Sequence, residues 1–347
     1  MFVPIICKDE ESYRKLKVEN PGLRNLDVFE LQLKELFNIR NPNVANKIRF
    51  PDGESKFLKS PPVESVWIYF PWKELIVKMV SSDAYFELRT ARNKNIISKE
   101  EQQSYRNLRI GIAGLSVGSA ILENLNISGG PQSVKIADFD RLETTNLNRI
   151  RGTLLDIGQL KTEVAAWRAY ELDPFLHLET YDSGLDEKNI EKFMMEPKLD
   201  AFIDEMDSLE MKYRAREICK KNGIPVLMAT EVGDKAVLDV ERYDLEPETE
   251  PFLGALDGWD FESLKKVDRE KWFELTSKII DRRHLSERMT QSVGEIGRTL
   301  AGVPQLGTAA SVAGASISLA LRKISSGKKL PSGKYVTDLE RALENRV

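Results

Sequence analysis

The chain has 347 residues, with 51 Lys and Arg against 55 Asp and Glu, which gives a formal net charge of −4. Hydrophobic residues make up 41% of the chain and charged residues 31%, a balance that excludes a disordered or fibrous protein. The lack of a basic excess argues against a nucleic-acid binder, and two cysteines with two histidines exclude a disulfide framework and a four-cysteine zinc site.

The first part of the chain, about 90 residues long, predicts a small α+β domain and carries little sign of chemistry. Apolar residues at helical spacing predict a helix over Asp27–Phe37. Val66–Trp72 is aromatic and predicts a strand, whereas Glu74–Val80 predicts a short helix. Pro51-Asp52-Gly53 and Pro61-Pro62 predict loops between these elements.

From Arg109 onward, predicted strands and helices alternate, which is the pattern of a doubly wound, mainly parallel sheet of the Rossmann type with helices on both faces. Ligands of such a sheet bind at the carboxyl ends of the strands, so the loops that follow the strands are the place to seek a site. The predicted strands are Arg109–Gly114, Ser133–Asp138, Leu176–Tyr181, Asp200–Asp204 and Ile224–Ala229. The predicted helices are Ser119–Asn126, Asp156–Leu172 with Asp156 as its N-cap, Asp186–Met195 and Ser208–Asn222.

One uncharged stretch, Thr299–Leu321, is longer than the roughly 20 residues that a membrane span needs. It is poor in large apolar residues, so it predicts a buried helix over Gln305–Ile324 rather than a span. Small residues at every fourth position (Ala310, Gly314 and Ser318) predict that this helix packs closely against another element. The start of the chain lacks the positive region of a secretory signal, and we expect a cytoplasmic protein.

The turn after the strand that begins at Arg109 is rich in glycine, because Gly111–Ser119 reads GIAGLSVGS. Such a turn directs backbone amides and a helix N-terminus towards one point, which suits a phosphate. The glycines at 111, 114 and 118 do not form a G-x-G-x-x-G fingerprint, so the loop alone leaves three interpretations open.

The first two interpretations are a dinucleotide protein and an esterase. Asp138 ends the next strand, 20 residues after Gly118, where an acid binds a ribose, so an NAD-binding oxidoreductase or a nucleotide-binding module fits. Gly114–Gly118 also matches the G-x-S-x-G nucleophile elbow. An esterase needs a late histidine base, and His284 lies in the charged stretch Asp281–His284, which is poorly suited to that role.

The third interpretation is ATP-dependent adenylation, which the residues downstream of the loop favour. Ala137–Arg149 reads ADFDRLETTNLNR, and Lys161 follows in DIGQLK, so polar and cationic groups suited to a triphosphate come in succession. The glycine loop, D-x-D, N-L-N-R, D-x-G-x-x-K and an Asp after the fourth strand of the alternating part resemble the ThiF/MoeB-type adenylyltransferases, the superfamily of the ubiquitin-activating enzymes. The resemblance covers the chain from Leu88 to Leu321.

The resemblance implies ATP and Mg²⁺ as cofactors and gives each matching residue a role. Asp138 resembles the acid that binds the ATP ribose, although it also suits a simple strand-end turn. Lys161 resembles a phosphate ligand, although many helical lysines are merely solvated. The nucleotide-binding set implied in this way is Gly114, Ser116, Gly118, Asp138, Asp140, Asn148, Arg149 and Lys161.

The same resemblance implies a catalytic set of Asp207, Arg92, Arg149 and Lys161. Asp207 would organise Mg²⁺ and the reacting triphosphate, and it also suits a capping box with Glu210. Arg92, in LRTARNKN, would be donated across a homodimer to the ATP of the partner. Phosphoryl chemistry of this kind needs positioning and charge neutralisation rather than a nucleophilic side chain.

The chain departs from the family pattern in two places. Ser116 and Val117 stand in the loop where the family usually has glycines. Many members also carry CxxC zinc ligands and an acceptor thiol, whereas this chain has only Cys7 and Cys219. Lys220 and Lys221 are the neighbours that would activate the thiol of Cys219. We therefore expect no zinc site and neither a thioester relay nor sulfur transfer.

Smaller matches, such as PWKELIVKMV, LDVERYDLEP and the closing PQLG, resemble bacterial ThiF-like proteins that are sometimes fused to a nitroreductase-like domain. The family that the chain resembles also contains peptide-modifying synthases of the microcin C and pantocin type, and the scarcity of cysteine suits that subgroup. The expected function is adenylation of a carboxylate on a peptide or small protein, captured by a nitrogen or carbon nucleophile, in antibiotic biosynthesis. Activation of a ubiquitin-like or sulfur-carrier protein is the alternative within the same superfamily.

Two domains are expected, an accessory and peptide-binding one at residues 1–87 and the adenylation domain at residues 88–347. The close-packing helix that contains Ala310, Gly314 and Ser318, together with an arginine supplied in trans, favours a two-fold homodimer. We expect this homodimer to bind neither nucleic acid nor membrane. The acidic segment Asp239–Trp272, with its prolines and glycines, is interpreted either as a solvated surface excursion or as a crossover segment that covers the substrate.

Overall fold

The computed structural model describes residues 3–45 and 51–344, and the chain divides into two compact units. The smaller unit is Met1–Lys99 with Ala169–Phe175, and the larger unit is Glu100–Arg168 with Leu176–Val347. The functional boundary expected at residue 87 stays a prediction.

The smaller unit is built around a four-stranded sheet with the strand order β1-β3-β4-β2. Neighbouring strands run antiparallel except β2 and β4, which are parallel. Its elements are β1 (Ile5–Cys7), α1 (Glu10–Glu19), β2 (Arg24–Asp27), α2 (Phe29–Arg40), α3 (Pro42–Ala45), α4 (Pro51–Lys59), β3 (Ser65–Phe70), β4 (Leu75–Val80), α5 (Ser82–Thr90) and the start of α6 (Lys99–Arg106).

Two predictions for this unit were wrong. The segment Glu74–Val80 is not a helix, because residues 75–80 form β4 and pair with both neighbours in the sheet. Glu74 takes a left-handed φ of 49° after a 3₁₀ turn at Pro71–Lys73 and reverses the chain into a hairpin. The stretch from Pro51 is helix α4 rather than loop, since proline is well tolerated in a first helical turn.

The larger unit contains a seven-stranded sheet with the order β11-β10-β9-β8-β5-β6-β7. The five strands from β9 to β7 are parallel, and β10 runs antiparallel to both of its neighbours. The elements are β5 (Arg109–Ala113), α7 (Val117–Ile127), β6 (Ser133–Ala137), α8 (Lys161–Leu172), β7 (His177–Tyr181), α9 (Ile190–Met195), β8 (Ala201–Asp204), α10 (Leu209–Asn222), β9 (Val226–Val232), β10 (Lys235–Glu241), α11 (Phe261–Leu264), α12 (Arg269–Ile280), α13 (Glu287–Gly294), α14 (Gly307–Ser325), β11 (Gly333–Asp338) and α15 (Leu339–Glu344). The prediction of a Rossmann-like, mainly parallel sheet flanked by helices is confirmed.

Two helix starts differ from the prediction in ways that affect the site. Helix α8 begins at Lys161 rather than after Asp156, because Asp156 closes a 3₁₀ turn with Thr153 and pairs with Arg168. The N-cap of α10 is Ser208, whose Oγ accepts a hydrogen bond from the N–H of Met211 at 3.1 Å. Asp207 therefore lies one residue before the N-cap and does not cap α10.

The stripe of small residues on α14 packs against α7 within the same unit. A Cβ atom on Gly314 would lie 2.7 Å from the carbonyl oxygen of Ala120, so only glycine allows this approach. Ser318 accepts or donates a 2.9 Å hydrogen bond with the hydroxyl of Tyr105. The predicted close packing is present, but it is internal to the chain and gives no argument for a dimer. Among the helices of the described residues, none is long and apolar enough to cross a membrane.

Candidate functional site

The glycine loop joins β5 to α7 at the carboxyl edge of the sheet. Gly114 has a φ of +90°, and a Cβ atom there would lie 2.1 Å from the carbonyl oxygen of Glu205 in the loop after β8. A Cβ atom on Gly118 would lie 2.9 Å from a methyl group of Ile112. The two glycines thus bring the start of α7, with its free amides, close to the ends of β5 and β8.

Asp138 follows β6 and fixes the loop from the opposite side. Its Oδ2 accepts a hydrogen bond from the N–H of Leu115 at 2.7 Å, and its Oδ1 accepts one from the N–H of Asp140 at 2.8 Å. Burial raises the pKa of Asp138, and the charge of Lys161 opposes that shift. Asp138 therefore does stabilise the turn after its strand, as one interpretation of the sequence held. Each of its carboxylate oxygens keeps a lone pair for a further donor such as a ribose hydroxyl.

Lys161, at the start of α8, is itself buried and pairs with the half-exposed side chain of Asp140. The Nζ of Lys161 lies 2.6 Å from Oδ2 of Asp140. The backbone N–H of Lys161 also donates to the backbone carbonyl of Asp140 at 2.9 Å. The interpretation of Lys161 as a solvated helix charge was wrong, because the residue is only 8% exposed. The second aspartate of the D-x-D motif and the lysine of the D-x-G-x-x-K motif thus form an ion pair at the carboxyl edge of the sheet.

Arg149 reaches back to the glycine loop. Its Nε donates to the Oγ of Ser116 at 3.0 Å, and one of its terminal nitrogens donates to Oδ1 of Asn148 at 3.0 Å. Burial lowers the pKa of Arg149, and the charges of Glu231 and Asp207 oppose that shift. The serine that replaces a usual glycine in the loop therefore orients a guanidinium.

Asn148 is tied to the segment that leads into α14. Its Nδ2 donates to the carbonyl of Gln305 at 2.8 Å. A Cβ atom on Gly307 would lie 2.5 Å from the carbonyl oxygen of Asn148, so the closing PQLG segment needs its glycine for this approach. Two motifs that lie far apart in the sequence, NLNR and PQLG, are thereby joined in one wall.

Asp207 and Arg92 are the two predicted catalytic residues that stand apart from these contacts. Asp207 is exposed in the loop between β8 and α10, within electrostatic reach of Arg149. Arg92 is exposed in a 3₁₀ turn at Ala91–Asn93 and belongs to the smaller unit, whereas the other predicted site residues belong to the larger one.

A fully buried ion network lies directly behind the Asp207 loop. Asp204, the last residue of β8, contacts Lys212 at 3.1 Å and pairs with Arg216. The Nε of Arg216 lies 2.8 Å from Oε2 of Glu241 in β10, and its guanidinium stacks 3.9 Å from the ring centre of Phe252. These cations lower the pKa of Asp204 despite its burial. The network anchors α10, and with it the position of Asp207.

The segment Asp239–Trp272 is not a solvated excursion throughout. Its first residues belong to β10, and Asp239 is buried against Lys334, whose Nζ lies 2.5 Å from Oδ2 of Asp239. Several apolar side chains in the rest of the segment are buried, namely Phe252, Leu256, Phe261 and Leu264. Its role as a cover over a substrate stays a prediction.

Two polar residues of the wall, Glu231 and Gln305, were not predicted from the sequence. The Nε2 of Gln305 donates to Oε2 of Glu231 at 3.0 Å, although 74 residues separate them. The only sequence signal for Glu231 is an acid inside the otherwise apolar run of β9, VLMATEV. Among the residues that the structure describes, no three His, Cys, Asp or Glu side chains group closely enough to bind a metal ion.

We expect that neither cysteine is needed for activity. Both are buried, and burial raises the pKa of each thiol, so the Lys220 beside Cys219 does not activate it. The Cys7→Ser/Cys219→Ser double variant should retain ATP–pyrophosphate exchange and product formation within about threefold of the unmodified chain. If exchange survives but product formation stops, an acyl group passes through a thioester on this chain.

Residues 89–340 match the model of the ThiF family, and the chain belongs to that family. It is 37% identical over 278 residues to the protein MT1398 of Mycobacterium tuberculosis, covering 80% of this chain and 38% of that protein. It is 26% identical to the tRNA threonylcarbamoyladenosine dehydratase of Bacillus subtilis, covering 45% of this chain and 64% of the dehydratase. The chain thus spans less than two thirds of both relatives.

The fold of the chain also resembles a solved structure of E. coli MccB with ATP. The two share 15% sequence identity and a TM-score of 0.50, with 89% of this chain and 87% of that chain covered. At this level of identity the similarity concerns the fold alone.

Proposed function

We propose that the chain adenylates a carboxylate with ATP and Mg²⁺. A substrate carboxylate oxygen would bond to the α-phosphorus of ATP, and pyrophosphate would leave. The observation that carries the proposal is the placing of two anchored cations near the glycine loop at the sheet edge. Arg149 donates to Ser116 in the loop, and Lys161 pairs with Asp140, two residues after the Asp138 that accepts from Leu115 of the same loop. Membership of the ThiF family supports it.

The residues present suit a nucleoside triphosphate. The amides of the first turn of α7 and the cations Lys161 and Arg149 offer donors to phosphate oxygens. The lone pairs that Asp138 retains suit a ribose hydroxyl. Mg²⁺ would be held by Asp207 together with the phosphates, because this ion is commonly bound by one or two carboxylates plus substrate oxygens.

For the substrate, we propose a peptide or small protein whose activated carboxylate is captured by nitrogen or carbon, in natural-product biosynthesis. The burial of both thiols disfavours capture by a cysteine of this chain. Activation of a ubiquitin-like carrier, with the acceptor thiol on another protein, is the alternative. A net charge of −4 disfavours a tRNA substrate such as that of the Bacillus relative.

The experiment is pyrophosphate exchange into ATP in the presence of candidate carboxylates, with hydroxylamine added to trap the activated acyl group. The panel comprises a short peptide, a small protein ending in Gly-Gly and a carboxylate-bearing nucleoside. Exchange with one of them, together with hydroxamate formation, supports the proposal. Turnover of NAD with no exchange for any carboxylate would contradict it.

Lys161→Met is expected to weaken Mg-ATP binding by roughly tenfold to a hundredfold, because the proposed charge-assisted contact between the lysine and a phosphate oxygen is lost. The stem of methionine fills the same space, so folding should be retained. The measurement is calorimetric titration with Mg-ATP, and Lys188→Met, an exposed lysine in the loop before α9, is the matched control. Unchanged affinity in Lys161→Met would remove the lysine from the nucleotide site.

We also propose a homodimer in which Arg92 serves the nucleotide site of the partner. Chains carrying Arg92→Ala alone or Asp207→Ala alone should each be inactive. When the two chains are co-expressed, about half of the dimers should be heterodimers, and each heterodimer has one of its two sites intact. The mixture should therefore regain up to about a quarter of the activity. A fully active monomer, or mixtures that regain nothing, would contradict this arrangement.

A further inference from the structure

Glu231 is a buried acid in the wall of the site, and one of its oxygens lacks a partner. The residue is 9% exposed and lies near the carboxyl end of β9. Its Oε2 accepts from Gln305, while its Oε1 is buried without a hydrogen-bond partner among the described residues. A buried carboxyl oxygen left unpaired is costly, so its retention calls for a functional reason.

The groups around Glu231 explain which charge state it can hold. Arg149 faces it from the NLNR loop and favours the ionised carboxylate. Glu205, a carboxyl in the loop after β8, accepts a hydrogen bond from the N–H of Ala229. Burial raises the pKa of Glu205 well above its usual value, and the charge of Glu231 raises it further. Gln305 is neutral, and Ala236 stands opposite on β10. Burial outweighs the arginine and raises the pKa of Glu231 to about 7.

We propose that Glu231 is a positioning residue for Arg149 that takes up a proton when ATP binds. Before binding, Ser116 and Asn148 accept hydrogen bonds from the guanidinium, and Asn148 donates to the carbonyl of Gln305, whose side chain donates to Glu231. Glu231 is thus linked to Arg149 through two residues and lies within its electrostatic reach. Once the triphosphate engages Arg149, an ionised Glu231 would face new negative charge without its counter-ion. A proton from solvent removes that repulsion, and the uncharged carboxyl keeps its hydrogen bond from Gln305 and the wall intact.

This inference rests on the proposed function, because it needs a polyanion that competes for Arg149. It also has a defined sign. A group that binds a proton more tightly in the complex makes ATP affinity rise as the pH falls. Around pH 7.5 the uptake should be about half a proton per ATP, and affinity should fall about fivefold from pH 6.5 to pH 8.5.

The test is calorimetry of Mg-ATP binding in buffers of different ionisation enthalpy, which gives the protons taken up per ATP. The full chain is compared with Glu231→Gln, which keeps the shape and the contact with Gln305 but cannot titrate. Glu217→Gln, a more exposed acid paired with Arg214, is the control for net charge. We expect uptake in the unmodified chain and in Glu217→Gln, and none from this position in Glu231→Gln.

Because ATP itself titrates equally with every variant, only the difference between variants counts. Equal uptake in Glu231→Gln, or no uptake by the unmodified chain, would overturn the inference while leaving ATP binding intact. Absence of Mg-ATP binding by the unmodified chain would instead contradict the proposed function. Folding is checked by the melting temperature, which should be higher in Glu231→Gln than in the unmodified chain at pH 8.5. The difference should shrink as the pH falls towards 4, where the carboxyl is protonated in the folded and the unfolded chain alike.

Discussion

Asp207→Asn is expected to lower the adenylation rate at least about a hundredfold while leaving Mg-ATP affinity within about threefold. The side chain is exposed and does not cap α10, so its loss leaves the fold intact. Asparagine has the same size but lacks the charge that would hold Mg²⁺ against the reacting phosphates. The effect therefore falls on the chemical step rather than on binding of the nucleotide.

The rate is measured by pyrophosphate exchange, and the affinity by calorimetry of the same variant. Glu210→Gln, which removes a carboxylate one residue into α10, is the matched control and should keep most of the activity. Equal exchange rates for Asp207→Asn and the unmodified chain would remove Asp207 from catalysis.

Arg216→Met is expected to lower the free energy of unfolding by about 3–5 kcal/mol, the range for breaking a buried ion pair by removing one partner. The guanidinium lies fully buried between Asp204 and Glu241, so its loss leaves two buried carboxylates without this counter-charge. Asp204 then keeps its contact with Lys212, and Glu241 keeps the hydrogen bond from the hydroxyl of Tyr243. The stacking contact with Phe252 is lost as well.

Urea unfolding at several pH values measures this effect. The control is Arg214→Met on the same helix, which breaks an exposed pair with Glu217 and should cost less than about 1 kcal/mol. The pKa of Asp204 is lowered in the folded chain, so its pairing contributes stability at neutral pH that is lost as the pH falls through that pKa. The difference in the free energy of unfolding between Arg216→Met and the unmodified chain should therefore become smaller at acid pH.

The alternation of strands and helices made the parallel sheet predictable from sequence, because each strand and helix was bounded by local signals such as Gly223 after α10. The segment that became β4 was mistaken for a helix, since a short apolar run does not distinguish the two periods. The segment is a strand because it pairs with β2 and β3, and no residue near it in the sequence indicates that pairing.

The place of a candidate site residue was predictable where the residue directly follows a strand, as Asp138 follows β6. The role of Lys161, which begins α8, was implied only by the resemblance to a family and stays a prediction. The site was not predictable where the contact joins distant segments. The bond between Glu231 and Gln305, and the pairing of Arg216 with Glu241, depend on strand order and helix packing rather than on any local pattern. The partner of the small-residue face of α14 was likewise not predictable from local sequence. Gly314 packs against α7 of the same chain, so this face gives no support for a dimer.

The most direct measurement of the central claim is a paired calorimetric titration of the full chain with Mg-ATP and with NAD. Lys161, Arg149 and the start of α7 suit a triphosphate, and a nicotinamide has no need of them. We expect saturable binding of Mg-ATP, weakened in Lys161→Met, with no measurable binding of NAD. Tight binding of NAD together with no binding of Mg-ATP would contradict the account.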